Sequence, residues 1–217
     1  MRILFVVIGF LVACLSPTAH AEARQGWDKL GTKSGVQVER KVMPDSPLFA
    51  FRGEGVFDTE IGRLVSVLKN PHIAAEWVDL MKEHIVLKKM GENKNLIYEA
   101  YGLPWPISDR DYLMQEQYHY DADKKVFTIS YESVEDALKP PQDDHVRAIA
   151  FRTYWRLTVV DSDTTRVEVE VFTDPKGALP AWLINLIQKD WPWKTIDGLV
   201  QRAQKSDVQP DATTATW

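Results

Sequence analysis

The chain has 217 residues, 45% hydrophobic and 26% charged, which fits one globular domain and excludes a disordered or collagen-like chain. Its 26 basic and 31 acidic residues leave a net charge of −5 with no basic run, so a nucleic-acid partner is not expected. The single cysteine, Cys14, excludes an intramolecular disulfide and a thiolate metal cage.

The chain opens with Arg2, an apolar run from Ile3 to Leu15, Pro17, and the small-residue site Ala19-His20-Ala21. That is the pattern of a secretory signal, and the run is shorter than the roughly 20 residues a membrane span needs. Cleavage after Ala21 is the expectation, placing the protein in a periplasm or outside the cell. The alternative is a lipoprotein anchored at Cys14, since Leu11-Val12-Ala13-Cys14 resembles a lipobox.

From Val36 the chain alternates with a period of two. Val36, Val38 and Val42 come first, then Phe49, Phe51 and Phe57 on one face with Gly53 and Gly55. Ile85 and Leu87 follow, then Leu96, Tyr98 and Ala100, then Phe127, Ile129 and Tyr131. Ile149, Phe151, Trp155, Leu157 and Val159 form the next set, and Val167, Val169 and Val171 the last. One apolar and one charged face is the signature of antiparallel strands over a single core, and Asp121–Lys125 and Asp161–Thr165 are short enough for hairpins.

Two regions break this alternation. Thr59 to Trp77 has helical spacing interrupted at Asn70-Pro71. Pro180 to Gln204 reads as one long helix with Trp182, Leu186, Trp193, Ile196 and Val200 in a stripe and a bend near Pro192. Beyond Ser206 a disordered tail, 206–217, is expected. The sum is one α+β domain over residues 22–205 with seven to nine strands and a closing helix.

The stretch from Leu103 to Tyr112 (LPWPISDRDY) is the least ordinary of the chain. In the strand that follows, alternation puts Arg110 and Glu116 toward the core, and Asp111, Leu113 and Gln115 on a wetter face. A buried guanidinium must meet a carboxylate, a ring of carbonyls or an anion from outside. An Arg110–Glu116 ion pair and a cavity-facing Arg110 that takes a phosphate or carboxylate both satisfy that need.

Pro104-Trp105-Pro106-Ile107-Ser108-Asp109-Arg110-Asp111-Tyr112 resembles the Arg-Asp signature of START domains, the steroidogenic-acute-regulatory-related lipid-transfer family. Asp174 to Asn185 (DPKGALPAWLIN) is similar to that family's entry into its last helix, and Trp77 also matches. The resemblance implies a helix-grip fold, a curved antiparallel sheet around a tunnel capped by a long C-terminal helix. It implies one phospholipid, fatty acid or sterol-like ligand, moved between membranes without chemistry, with Arg110 as the residue that reaches a ligand phosphate. It also re-reads Glu116, Tyr98, Tyr118, Tyr131, Thr153 and Trp155 as tunnel-lining candidates. The helix bearing Trp182, Leu186, Trp193 and Ile196 becomes a gate, and Trp182, Trp191 and Trp193 become either core or a rim touching a bilayer.

Chemistry-bearing motifs are missing from the sequence. His72, His84, His119 and His145 lack metal-ligand spacing, and Gly53-Glu54-Gly55 lacks the third glycine of a dinucleotide loop. No nucleophile elbow or P-loop occurs. Asp109 and Asp111 as an acid/base pair are disfavoured because both are expected to point outward. No catalytic residue, cofactor or metal is therefore expected, and a monomer making transient membrane contact is the favoured form. The alternatives are an aromatase/cyclase-like enzyme on the same architecture, with Glu116 as its candidate acid or base, and a ligand-free interaction domain.

Overall fold

The computed structural model describes residues 26–215 and 217; the expected signal segment lies outside them. Strands β1 (Trp27–Lys33), β2 (Val36–Val42) and β3 (Phe49–Phe57) form an antiparallel meander. Helix α1 (Ile61–Leu68) and a 3₁₀ helix (Pro71–Glu76) follow, then β4 (Met81–Gly91), β5 (Lys94–Tyr101), β6 (Asp109–Asp121) and β7 (Val126–Ser133). The short β8 (His145–Arg147) precedes β9 (Ile149–Val159) and β10 (Thr165–Asp174), and helices α2 (Ala181–Gln188) and α3 (Trp191–Ala203) close the fold. The sheet runs β1-β2-β3-β10-β9-β7-β6-β5-β4, antiparallel throughout, with β8 parallel beside the start of β6.

This is the expected α+β helix-grip arrangement, a curved sheet around C-terminal helices, with ten strands among the described residues rather than seven to nine. The additions are β1, whose largely exposed WDKLGTK carries no alternation to read, and the three-residue β8. Along β10, Val167, Val169 and Val171 are buried, and Phe127, Ile129 and Tyr131 do the same on β7. On the inner face Ile196, Leu199 and Ala203 of α3 are fully buried with Leu64 and Val65 of α1. Full burial of one such aliphatic side chain stabilises by about 1.5–3 kcal/mol. Gly53 permits this packing, because a Cβ there would lie 2.9 Å from the Pro192 Cβ and 3.1 Å from Ile196 Cδ1.

The anticipated long helix is two. The chain leaves α2 after Gln188 and re-enters at Trp191, which puts Pro192 in the first turn of α3, where no backbone donor is required. Ile184 is the buried residue of α2, whereas Trp182 and Leu186 are 68% and 49% exposed, so they belong to its outer face and not to a core stripe.

Three strands depart from simple alternation. On β9 the pairing with β10 skips Phe151, which a bulge turns outward to stack on Phe172 at 4.7 Å while Ala150 takes the inward place. On β4, three register shifts against β5 turn His84 inward and leave Ile85 exposed. On β5, both faces are buried because residues 134–148 cover the outside of β5 and β6. There the Lys139 ammonium sits 4.1 Å from the Tyr98 ring centroid, and Arg147 clasps the fully buried Asp111 at 2.9 and 3.0 Å. The expected wet face of β6 is therefore dry at Asp111 and Leu113.

The expected disordered tail is docked. Arg63 of α1 donates to the carbonyls of Ala203, Lys205 and Val208 at 2.8–2.9 Å, and Lys69 pairs with Asp211 at 2.7 Å. The Asp211 N–H reaches the Gly62 carbonyl at 2.9 Å, Val208 and Thr214 are buried, and Trp217 stands edge-on to Tyr120. Satisfied polar groups hold this segment together with the apolar contacts of Val208 and Trp217.

Candidate functional site

Between the concave face of the sheet, α2, α3 and the loops after the 3₁₀ helix and β5 lies a cavity of about 150 Å³. Met114, Trp155, Val171, Ile184, Ile187 and Trp191 give it a mostly apolar wall. A cavity of this size accepts a body about as large as benzene, whereas sites that enclose a drug-sized ligand run to roughly 300–1,000 Å³.

The polar part of the wall is concentrated on β4, β5 and β6. Glu99 accepts from the Tyr101 hydroxyl at 2.8 Å and lies 3.0 Å from His84 Nδ1, with both partners of that pair buried. Burial opposes a charge on His84, but its hydrogen bond to Glu99 and the nearby carboxylates of Glu99 and Glu116 outweigh it and raise the imidazole pKa. Burial pushes the Tyr101 phenol well up and the Tyr112 phenol up to about 12, so both stay protonated donors at neutral pH.

Arg110, 4% exposed, also reaches the wall. Among the described residues it has no carboxylate in salt-bridge range; its guanidinium donates to the carbonyls of Ser108, of Pro175 at 3.0 Å and of Lys176 at 3.0 Å. The ring of carbonyls, one of the three options open to a buried arginine, is the one realised. Those last two carbonyls belong to the turn that leads into α2, so Arg110 staples that turn to β6. Gly177 turns there at φ +78°, with its missing Cβ 3.1 Å from Arg110 Nη2.

Of the residues singled out in the sequence as tunnel lining, Arg110, Tyr131, Thr153 and Trp155 line the cavity, and Trp77 and Trp191 join them there. Glu116 is buried but apart from it, accepting from Asn95 at 2.7 Å and from Tyr118 at 2.5 Å, and so it forms no pair with Arg110. Tyr118 belongs to that same cluster. Tyr98 faces the opposite side of the sheet, and burial there raises its phenol to about 12. Trp193 lies under the Lys33 ammonium, 3.7 Å from its ring, Ile196 packs in the core, and Trp182 and Leu186 face outward. The cavity face of the helical cap is instead Ile184, Ile187, Gln188, Trp191 and Thr195. Neither Asp109, held by Lys82 at 2.6 Å, nor Asp111 is on the wall.

His84, Glu99 and Tyr101 escaped the sequence reading. Glu99 and Tyr101 share the parity of the fully buried Ile97, and that shared parity was the available signal.

α2 is held by few contacts. Asn185 Oδ1 accepts from the Phe49 N–H at 3.0 Å and its Nδ2 donates to the Pro47 carbonyl at 3.1 Å, while Gln188 donates to Thr173 Oγ1 at 2.8 Å. Just outside the Leu103 wall, Trp105 stands 92% exposed between its two prolines.

A curved antiparallel sheet, closed by a lightly latched helix over an apolar cavity with a few buried polar groups, defines a helix-grip domain built around an internal cavity. The chain belongs to the START domain family, whose model matches residues 13–207. It is 24% identical to the phosphatidylcholine transfer protein of Mus musculus over 201 residues, covering 90% of this chain and 92% of that one. The solved STAR-related lipid transfer protein fragment from Xanthomonas axonopodis is similar at 26% identity and a TM-score of 0.73, over 83% of this chain and 99% of that one. Human STARD10 shares the fold at a TM-score of 0.78 and 20% identity, over 87% of this chain and 78% of that one.

Proposed function

We propose that the protein takes up one lipid, a phospholipid, fatty acid or sterol-like molecule, into this cavity and carries it between membranes without chemical change. The observation that carries the reading is the cavity wall itself, mostly apolar with His84, Glu99 and Arg110 on its sheet side, and roofed by a helix held through two side-chain latches. Membership of the START family, and relatives named as lipid and phosphatidylcholine transfer proteins, support it. Arg110 commits two of its five N–H groups to the α2 turn and a third to the Ser108 carbonyl, and the remaining two carry its charge to a ligand headgroup. Ligand entry displaces α2, since the cavity as described is too small for a whole lipid. The exposed Trp182, Leu186 and Trp105 then touch the bilayer interface, where an indole is at home.

The same reading places the protein in a periplasm or outside the cell, released by cleavage after Ala21 or anchored through Cys14, and acting as a monomer. Native mass spectrometry of protein purified without detergent, followed by organic extraction, tests the proposal. One bound lipid per chain is expected. Protein that emerges empty and also refuses phospholipids, fatty acids and sterols would overturn it.

A further inference from the structure

Four buried side-chain atoms lack a hydrogen-bond partner among the described residues: Arg40 Nε, His145 Nδ1, Trp77 Nε1 and Thr195 Oγ1. The first two lie beside a carboxylate, Asp28 at 3.5 Å and Asp144 at 2.9 Å. Trp77 and Thr195 have no such neighbour, and both form part of the cavity wall. They are also deeply enclosed, at 9% and 0% exposure. Buried polar groups are almost always paired, and an unpaired donor in a dry site is costly, so two on one cavity wall call for an absent partner.

The backbone segments that carry the two residues are packed together. Trp77 closes the 3₁₀ helix, and Gly198, three residues beyond Thr195 on the same face of α3, is pressed so near that a Cβ would lie 2.3 Å from the Trp77 carbonyl oxygen. They approach the cavity from its helical side, whereas His84, Glu99 and Arg110 belong to the sheet.

An indole N–H only donates, and a threonine hydroxyl donates or accepts. Two unpartnered groups without a formal charge, on one side of the cavity, match a neutral oxygen with two lone pairs, and a phosphate or carboxylate would instead seek the charged groups on the sheet. Resting on the reading of the cavity as a lipid site, we infer that Trp77 Nε1 and Thr195 Oγ1 form a subsite for the carbonyl oxygen of an acyl ester, so that the ligand is an ester-linked lipid held at two levels.

The test uses phosphatidylcholine, phosphatidylethanolamine and phosphatidylglycerol, each as the diester and as the diether with the same chains. Affinity of the full chain is read by displacement of a fluorescent phospholipid. With unsubstituted protein, at least one headgroup class binds about tenfold more tightly as the diester. Thr195→Val, which keeps the side chain's shape, reduces that ratio of diester to diether affinity to about threefold or less, and Trp77→Phe does the same, whatever either does to diether affinity itself. A ratio that stays near tenfold in both variants overturns the subsite. Equal affinity for diester and diether overturns the subsite and leaves the carrier reading standing. Failure of every lipid to bind overturns both. The comparison on the unsubstituted protein needs no variant to fold, and measurable diether binding shows that each variant has folded.

Discussion

Asn185 of α2 and Phe49 of β3 meet through a single backbone N–H, 3.0 Å from the Asn185 side-chain oxygen, while the same amide reaches back to the Pro47 carbonyl. One side chain on the roof thus holds both sides of the turn into β3. Asn185→Ala removes both bonds, each worth about 1 kcal/mol. Transfer of fluorescent phosphatidylcholine between vesicles is expected to quicken several-fold, with the denaturation midpoint falling modestly. Unchanged transfer would show that the roof opens elsewhere.

Arg110→Met keeps the volume of the side chain and strips hydrogen bonds from the Ser108, Pro175 and Lys176 carbonyls. Leaving buried carbonyls unmet costs about 1–3 kcal/mol each, so a loss of at least 2 kcal/mol in urea denaturation is expected. A variant as stable as the original would mean that the turn into α2 needs no staple.

His84 titrates in a readable window. Its pKa is raised in the folded state above the ordinary value of 6.5, so folding favours the imidazolium. That stabilisation is complete below about pH 6.5 and is lost as pH rises through the higher folded value. Urea midpoints should therefore fall as pH rises above about 6.5, and His84→Gln should flatten this step. An identical slope in the variant would assign the dependence to other groups.

Gly198→Ala tests the contact of α3 with the 3₁₀ helix. The added methyl would stand 2.3 Å from the Trp77 carbonyl oxygen, a backbone atom that yields only if the helix moves. Overpacking of this kind costs about 1–3 kcal/mol, in spite of the gain of up to about 1 kcal/mol that alanine normally brings to a helix. A rise in melting temperature would contradict the packing described.

Trp182→Ala combined with Leu186→Ser removes the outward apolar face of α2, which contributes little to the core. Stability should change by no more than about 0.5 kcal/mol, while co-sedimentation with lipid vesicles falls at least threefold. Undiminished vesicle binding would move the membrane contact away from this helix.

Much of the architecture was legible because β7 and β10 keep strict alternation against one core, and because the Arg110 strand carries a family signature as well as a pattern. The candidate site was less legible, for reasons visible at single residues. A bulge at Phe151 reverses parity partway along β9, and register shifts on β4 hide His84 among exposed neighbours. Tyr98 is buried as expected but on the far face, beneath a segment whose Lys139-Pro140-Pro141 sequence reads as an open connection. Trp182 and Leu186 have core-like side chains and core-like spacing, and only the break before Pro192 turns them outward.

The Arg63 fork has a consequence for how the chain is made. It donates to the Ala203 carbonyl at the end of α3 and to the Lys205 and Val208 carbonyls just beyond, 140–145 positions further along. On a ribosome, synthesised from the N-terminus, α1 must wait with that guanidinium hydrated until nearly the whole domain has emerged. Lys69 waits likewise for Asp211. The first helix and the last few residues therefore belong to one late-closing cooperative unit, and an early release of the chain would leave its beginning, as much as its end, unfinished.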